Sequence, residues 1–393
     1  MPLPLYLLAL AVFAMGTSEF MLAGLLPDIA SDLGVGVATA GALVPAFAIG
    51  MIVGAPLVAA LARTWPPRAV LLGFVVAFAT AHAVGAVTTS FPVMFATRVV
   101  AALANAGFLA VALTTAAALV PPDRKGRALA VLLSGTTVAT IVGVPGGAVL
   151  GTSLGWRATF WAVAALCLPA ALGILKGVPA AAGRAETTGG PALRTELAQL
   201  ARPRLLLVMA LGALVNAATF GSFTFLAPLV TGTAGLDEPW IPLVLVLFGA
   251  GSLVGVTVAG RLSDRRPGAV VAAGGPLLLI GWPLLAVSAH MPLALCVLVF
   301  ALGALSFALG GTLITRVLHE AVEAPTMAGS YATAALNIGA AVGPLLAATT
   351  LDTAAGNRGP LWASGLLVAL TLLIALPLRR SLVPSGRPAE ADA

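Results

Sequence analysis

Apolar stretches long enough to cross a lipid bilayer recur along this chain, and that recurrence decides the solvent in which it folds. A helix rises about 1.5 Å per residue and a bilayer's hydrocarbon core is about 30 Å thick, so roughly twenty apolar residues span it. Runs bounded by charges and turn residues predict helices over 5–26, 41–61, 69–87, 92–119, 128–150, 158–175, 205–229, 241–260, 269–289, 293–315, 328–350 and 361–378. Of the 393 residues, 60% are hydrophobic and 9% charged. Soluble domains carry about 25% charged residues, so a water-soluble fold is excluded. The expected class is an all-α integral membrane protein of twelve transmembrane helices in two pseudo-symmetric six-helix bundles.

Basic residues set the orientation. With the N-terminus inside, the inner loops hold Arg63, Arg68, Arg124, Lys125, Arg127, Arg261, Arg265 and Arg266. The outer loops hold Arg157 and Arg358, with Asp28, Asp32, Asp237, Glu238 and Asp352. The positive-inside rule then puts both termini in the cytoplasm. The formal charge of +6 therefore marks a membrane face and does not call for nucleic acid. Residues 5–26 lack a basic leader and a small-residue cleavage site, and read as a retained span of the cell's inner (plasma) membrane.

One long polar stretch, 176–204, divides the chain into bundles at 1–175 and 205–380, followed by a tail at 381–393. The halves echo each other. Gly50, Val53, Gly54, Leu61 and Pro66 match Gly251, Val254, Gly255, Leu262 and Pro267 at an offset of 201. Two similar halves imply a two-fold axis along the membrane normal, a substrate path between them and alternating access.

Two fully charged side chains fall well inside these runs, Glu19 and Arg98. Each is expensive in lipid, by about 3 kcal/mol or more at mid-membrane, so each is a functional candidate. They sit at similar depths and could neutralise each other across one bundle. Opening the cavity to either side would change that balance and so load or release a proton at Glu19. The alternative is a fixed pair that joins two helices. His82 reads as a hydrogen-bonded packing residue, Asp28 and Asp32 as caps or cavity-mouth residues, and Cys167 and Cys296 as small packing residues without metal or redox spacing.

The stretches GTSEFMLAGLLPDIASDLGV at 16–35, FATRVVAALANAG around Arg98, GVPGG at 143–147, GWRATFW at 155–161 and GRLSDRRPG at 260–268 resemble the major facilitator superfamily. Within it they are similar to the twelve-span drug:proton antiporters, including the chloramphenicol-resistance exporters of actinomycetes. The resemblance implies a conformational role for Gly143, Pro145, Gly146 and Gly147, and a cytoplasmic latch at Gly260, Asp264 and Arg265. The first-half copy of that latch departs from the pattern, with Arg63 where the family carries Asp. Sugar exporters share part of the 16–35 pattern.

Asn105, Asn216, Phe220, Phe223, Tyr331 and Asn337 lie within the runs and could form an apolar pocket with a few polar groups. Such a pocket suits a small, uncharged, partly aromatic molecule. The expectation is a monomeric proton-coupled exporter of drugs such as phenicols, embedded in the bilayer. A sugar or metabolite exporter and an uncoupled facilitator are the alternatives. No cofactor is expected: the chain lacks a phosphate-binding P-loop, so a proton gradient would drive it, and it lacks the metal, nucleophile-elbow and cysteine motifs of an enzyme.

Overall fold

The computed structural model describes residues 2–61, 66–121, 124–179, 198–263, 267–324 and 327–375. Every regular element among them is helical. Twelve helices among the described residues are long and apolar enough to cross a membrane. In chain order these spans, first to twelfth, are Leu3–Gly24, Val37–Gly54, Pro67–Val87, Phe91–Ala116, Arg127–Leu154, Trp156–Gly177, Pro203–Thr224, Trp240–Val258, Val270–Ser288, Pro292–Glu320, Ala328–Ala348 and Gly356–Ala375.

The two halves repeat one packing scheme. In the first, span one packs on five and six, two on four, and three on four and six. In the second, span seven packs on eleven and twelve, eight on ten, and nine on ten and twelve. Repeated glycines make the close pairs possible. A Cβ built on Gly50 would lie 2.6 Å from the Val99 carbonyl oxygen, and one on Gly251 would collide with the Phe300 carbonyl. Gly54 and Gly255, one turn on, seat likewise against Leu103 and its counterpart in the repeat, Ala304. Small residues let helix backbones approach closely in lipid, where packing replaces the hydrophobic effect as the driving force.

Between the halves, span two packs on eleven and span five on eight, an exchange-symmetric pair. Two further contacts between the halves lie at the end of the molecule where the first span finishes, away from the N-terminus. A Cβ on Gly24 would sit 2.9 Å from both Ala148 Cβ and Leu245 Cδ1, and one on Gly41 2.7 Å from the Phe225 ring.

Three helix ends differ from those expected. The first α-helix stops at Phe20 and tightens into a 3₁₀ turn, Met21–Gly24, before a short helix at Leu26–Asp32. The seventh span stops at Thr224, and a π-helical turn follows at Leu229–Thr233. Proline supplies no N–H to the helical ladder, and Pro27 and Pro228 occupy equivalent places, 201 residues apart, just past these breaks. The tenth span runs on to Glu320, beyond the expected end at 315, because Arg316 and His319 are tolerated where the helix leaves the apolar zone.

Candidate functional site

The end of the first α-helix builds the polar centre. The last carbonyls of an α-helix lose their intrahelical donors. Arg98, 1% exposed on the fourth span, supplies replacements: its Nη1 donates to Ser18 Oγ at 2.7 Å and its Nη2 to the Ser18 carbonyl at 2.8 Å. Its guanidinium also lies over the Phe47 ring, 4.5 Å from the centroid. Hydrogen bonds to a charged group contribute about 1.5–3 kcal/mol each. The negative end of a helix adds up to about 2 kcal/mol for a partly buried cation. Together these offset a desolvation cost of several kcal/mol.

Ser18 passes the chain of bonds to His82. The imidazole Nδ1 lies 2.8 Å from the Phe78 carbonyl oxygen, which can only accept, so Nδ1 carries the hydrogen. A second buried cation beside the guanidinium would be costly, which makes the ring neutral and leaves Nε2 bare. Nε2 then accepts from the Ser18 hydroxyl at 2.6 Å, while Ser18 Oγ accepts from Arg98. This tautomer is assigned from the bonding network. His82 is 1% exposed and stacks on Phe78 at 4.3 Å.

Glu19 and Arg98, which could neutralise each other across the bundle, form no direct ion pair or hydrogen bond among the described residues. The two charges interact electrostatically, but Arg98 spends its described bonds on Ser18. The physical reason is helical geometry: consecutive residues point about 100° apart, so a guanidinium seated on Ser18 is turned away from the neighbouring carboxylate. Glu19 is half-buried.

Phe20, the next residue, lines a cavity between the halves. Its ring is 5.7 Å from Phe220, which continues through Phe223 (6.1 Å), Phe248 (4.7 Å) and Phe307 (6.1 Å). Thr140, Thr219 and Ser252 also line the cavity, each hydroxyl donating to a carbonyl of its own helix. Five aromatic rings with a few hydroxyls describe a site for a mostly apolar, ring-bearing molecule.

Of the residues singled out in the sequence, Phe220 and Phe223 line this cavity. Asn216 instead donates to the Leu336 carbonyl of the eleventh span (2.6 Å), and Asn337 to the Thr333 carbonyl of its own helix (2.9 Å). Asn105 and Tyr331 are buried outside the cavity lining. Phe20, Phe248, Phe307, Ser18 and Thr140 were missed. Phe20 carried a signal, because it follows the anomalous acid directly. The others required knowing which helix faces lie together.

The fifth span has a π-helical turn at Ala139–Gly143, directly before Pro145. The wide turn absorbs the donor that proline lacks. A Cβ on Gly143 would collide with Thr17, and one on Gly147 would lie 3.1 Å from Thr159 Cγ2, whereas Gly146 has open space beside it. Gly260 lies in the helix Trp240–Ser263; Asp264 and Arg265, like Arg63, lie outside the described residues.

Asp32 closes a second polar cluster at the end of the molecule away from the N-terminus. It is ion-paired with Arg157 and accepts from Trp156 Nε1 at 2.9 Å. Arg157 also donates to the Thr88 carbonyl (3.1 Å) and lies 4.3 Å over the Trp156 ring. Gly155, at φ +85°, makes the turn that starts the sixth span here. Asp28, outside the spans, has its carboxyl pushed up from the ordinary carboxylate range by burial, and further by the Glu238 carboxylate of the other half. Cys167 and Cys296 are free thiols.

Known proteins resemble this arrangement along its whole length. The family profile described as Major Facilitator Superfamily matches residues 8–334 and 241–392. The chain is 75% identical over 391 residues to a protein of Streptomyces lividans called chloramphenicol resistance protein, covering 100% of both. It is 30% identical over 373 residues to the inner membrane transport protein YdhP of Escherichia coli (strain K12), covering 94% of each. Among solved structures, a bacterial homologue of the human lysosomal transporter Spinster, inward-facing and unoccupied, superposes with a TM-score of 0.77 at 16% identity, covering 99% of this chain and 98% of that one. The nucleoside transporter NupG gives 0.75 at 15% identity, covering 96% and 99%. With its helix order, repeat symmetry and central cavity, the chain belongs to the Major Facilitator Superfamily and is a multi-pass membrane transporter, not an enzyme.

Proposed function

We propose that this transporter exports small, uncharged, partly aromatic drugs, chloramphenicol and related phenicols first among them, in exchange for protons. The observation that carries the reading is that Glu19 and Phe20 are consecutive: one residue is an acid in an apolar span, the next a wall of the aromatic cavity. A ligand that moves Phe20 necessarily disturbs Glu19. The name of the Streptomyces lividans relative, at 75% identity, supports the substrate class. A sugar, with hydroxyls on every face, would leave most of them unpaired against five phenylalanines.

The positive-inside pattern supports a protein of the plasma membrane with both termini cytoplasmic, and the units are bundles at 1–175 and 205–380 joined by 176–204, working as a monomer without a cofactor. In that orientation the contacts between the halves close the outer side, so drug enters the cavity from the cytoplasm. Glu19 loads a proton from outside and releases it inside, with the bend before Pro145 reshaping between states and Gly260, Asp264 and Arg265 serving as the cytoplasmic latch.

Expression in a sensitive, exporter-deficient bacterium tests this. Resistance to and accumulation of chloramphenicol, florfenicol and an arabinose-type sugar are compared with and without a protonophore. Protection against phenicols that collapses with the protonophore is expected. Protection against neither phenicol defeats the substrate assignment, and protection indifferent to the protonophore favours an uncoupled facilitator.

A further inference from the structure

A chain of buried polar groups runs Arg98–Ser18–His82–Phe78 beside the cavity. It is fully bonded at His82. Among the described residues, however, Arg98 Nε has no hydrogen-bond partner and the Glu19 carboxylate no direct one. A structure built only to neutralise charges would bring those two together. Something holds them apart.

The geometry points to His82 as a positioning residue for the proton step: through the Ser18 hydroxyl it anchors the Arg98 guanidinium at the end of the first α-helix and keeps it off Glu19. This rests on the reading of Glu19 as the proton site. The Ser18 hydroxyl has one hydrogen. With His82 Nε2 taking it, an oxygen lone pair is aimed at Arg98 Nη1; without that acceptor the hydroxyl rotates freely and the anchor weakens. His82 is itself fixed by its Nδ1–H bond to Phe78 and by rings at 4.3 and 5.6 Å, Phe78 and Phe160.

Few other charges among the described residues face this place. The first span contributes Glu19 and the fourth Arg98. On the sixth, Arg157 is held by Asp32 and Thr88, and Cys167 donates to its own helix at the Val163 carbonyl. Without the Ser18 hydroxyl bond, Arg98 keeps only the Ser18 carbonyl, and its Nη1 has Glu19 as the nearest unanswered charge. A guanidinium against a carboxylate disfavours protonation by about 1–3 pH units. Proton loading would then require a more acidic exterior.

The test uses the full chain purified and reconstituted in proteoliposomes, with chloramphenicol antiport measured across a series of external pH values. His82→Phe, which keeps an aromatic ring but no acceptor, is expected to displace the midpoint of the profile toward acid by about one unit or more. His82→Gln, whose amide oxygen can accept from Ser18, is expected to restore the wild-type midpoint. Ser18→Ala removes the same hydroxyl bond, leaving only the main-chain carbonyl, with a minimal change in packing; it shifts in the same direction, and it decides the matter if His82→Phe fails to fold. Glu19→Gln is the control. If it retains the wild-type profile, the proton-site reading falls and this inference with it. If it loses its pH dependence while His82→Phe and Ser18→Ala keep the wild-type midpoint, the inference alone is overturned. A shift in His82→Gln as large as in His82→Phe also overturns it.

Discussion

Gly249 on the eighth span faces the main-chain carbonyl of Thr140 on the fifth so closely that a methyl group has no room between them. A Cβ built there would lie 2.6 Å from the Thr140 oxygen. That oxygen belongs to the π-helical turn before Pro145, so the irregular turn of one half is the surface on which the other half rests.

Gly249→Ala is therefore expected to pry the halves apart. Overpacking costs about 1–3 kcal/mol, which lowers the population of the arrangement in which the halves touch by roughly five- to 150-fold relative to one in which they part. Labelling of a cysteine introduced at Ser252 in the cavity, in a background without Cys167 and Cys296, should accelerate from the outer side. Unchanged labelling contradicts the prediction.

Glu19→Gln keeps the shape of the side chain and removes its ionisation. Drug binding to the purified protein is expected to survive, while uphill export driven by an imposed pH gradient is lost. Gradient-driven accumulation at the wild-type rate would show that Glu19 is a structural acid.

The aromatic cavity makes a graded prediction. Phe223 meets Phe220 edge-on and lies against Phe248, whereas Phe307 ends the row. An aromatic pair contributes about 0.5–1.5 kcal/mol beyond burial, so Phe223→Ala should weaken phenicol binding by roughly two- to twelvefold per lost stack. Phe307→Ala should weaken it less. Tryptophan-quenching titrations with chloramphenicol would measure both, and equal effects would argue against a ligand seated in the centre of the row.

Asp28 gives a pH dependence with a definite sign. Burial, and then the Glu238 carboxylate, raise its proton affinity in the folded state. The folded protein thus binds more protons than the unfolded one, and stability falls as pH rises through the interval between the ordinary and raised values. Asp28→Asn should match wild type in thermal stability below the ordinary carboxylate range and exceed it at neutral pH. A variant less stable than wild type at neutral pH would show instead that the carboxylate is needed there.

Trp156→Phe removes the indole donor to Asp32 but keeps a ring for Arg157 to lie over. A loss of about 1.5–3 kcal/mol is expected for a bond to a charged acceptor, at the upper end only if solvent is kept out. Asp32→Ala combined with it should cost less than the sum of the two, since they share one contact. Additive losses in denaturation would mean the two act separately.

The spans were legible in the sequence because lipid imposes a length and a composition on each helix independently of its neighbours. Glycines at 50, 54, 251 and 255 were visible as a repeat, and the structure gives the reason in the backbones they meet on the fourth and tenth spans. Helix ends were less legible. Phe20 and Thr224 stop their helices inside runs that remain apolar for several residues more, so hydropathy alone had no mark to stop at.

The polar centre divides along the same line. That Glu19 and Arg98 are anomalous follows from the sequence, because the cost of a charge in hydrocarbon needs no partner to be recognised. Which groups answer that cost does not follow. Ser18 and His82 are ordinary residues until the turn at Phe20 frees a carbonyl and the third and fourth spans bring an imidazole and a guanidinium to the same hydroxyl. The aromatic row is likewise drawn from both halves, whose rings share no sequence spacing. Sequence determined the solvent, the spans, the repeat and the misplaced charges, since each is a property of one segment against lipid. Tertiary structure decided the partners, because hydrogen bonds and ring contacts depend on the rotation of each helix about its axis, and that rotation is set only when all twelve pack together.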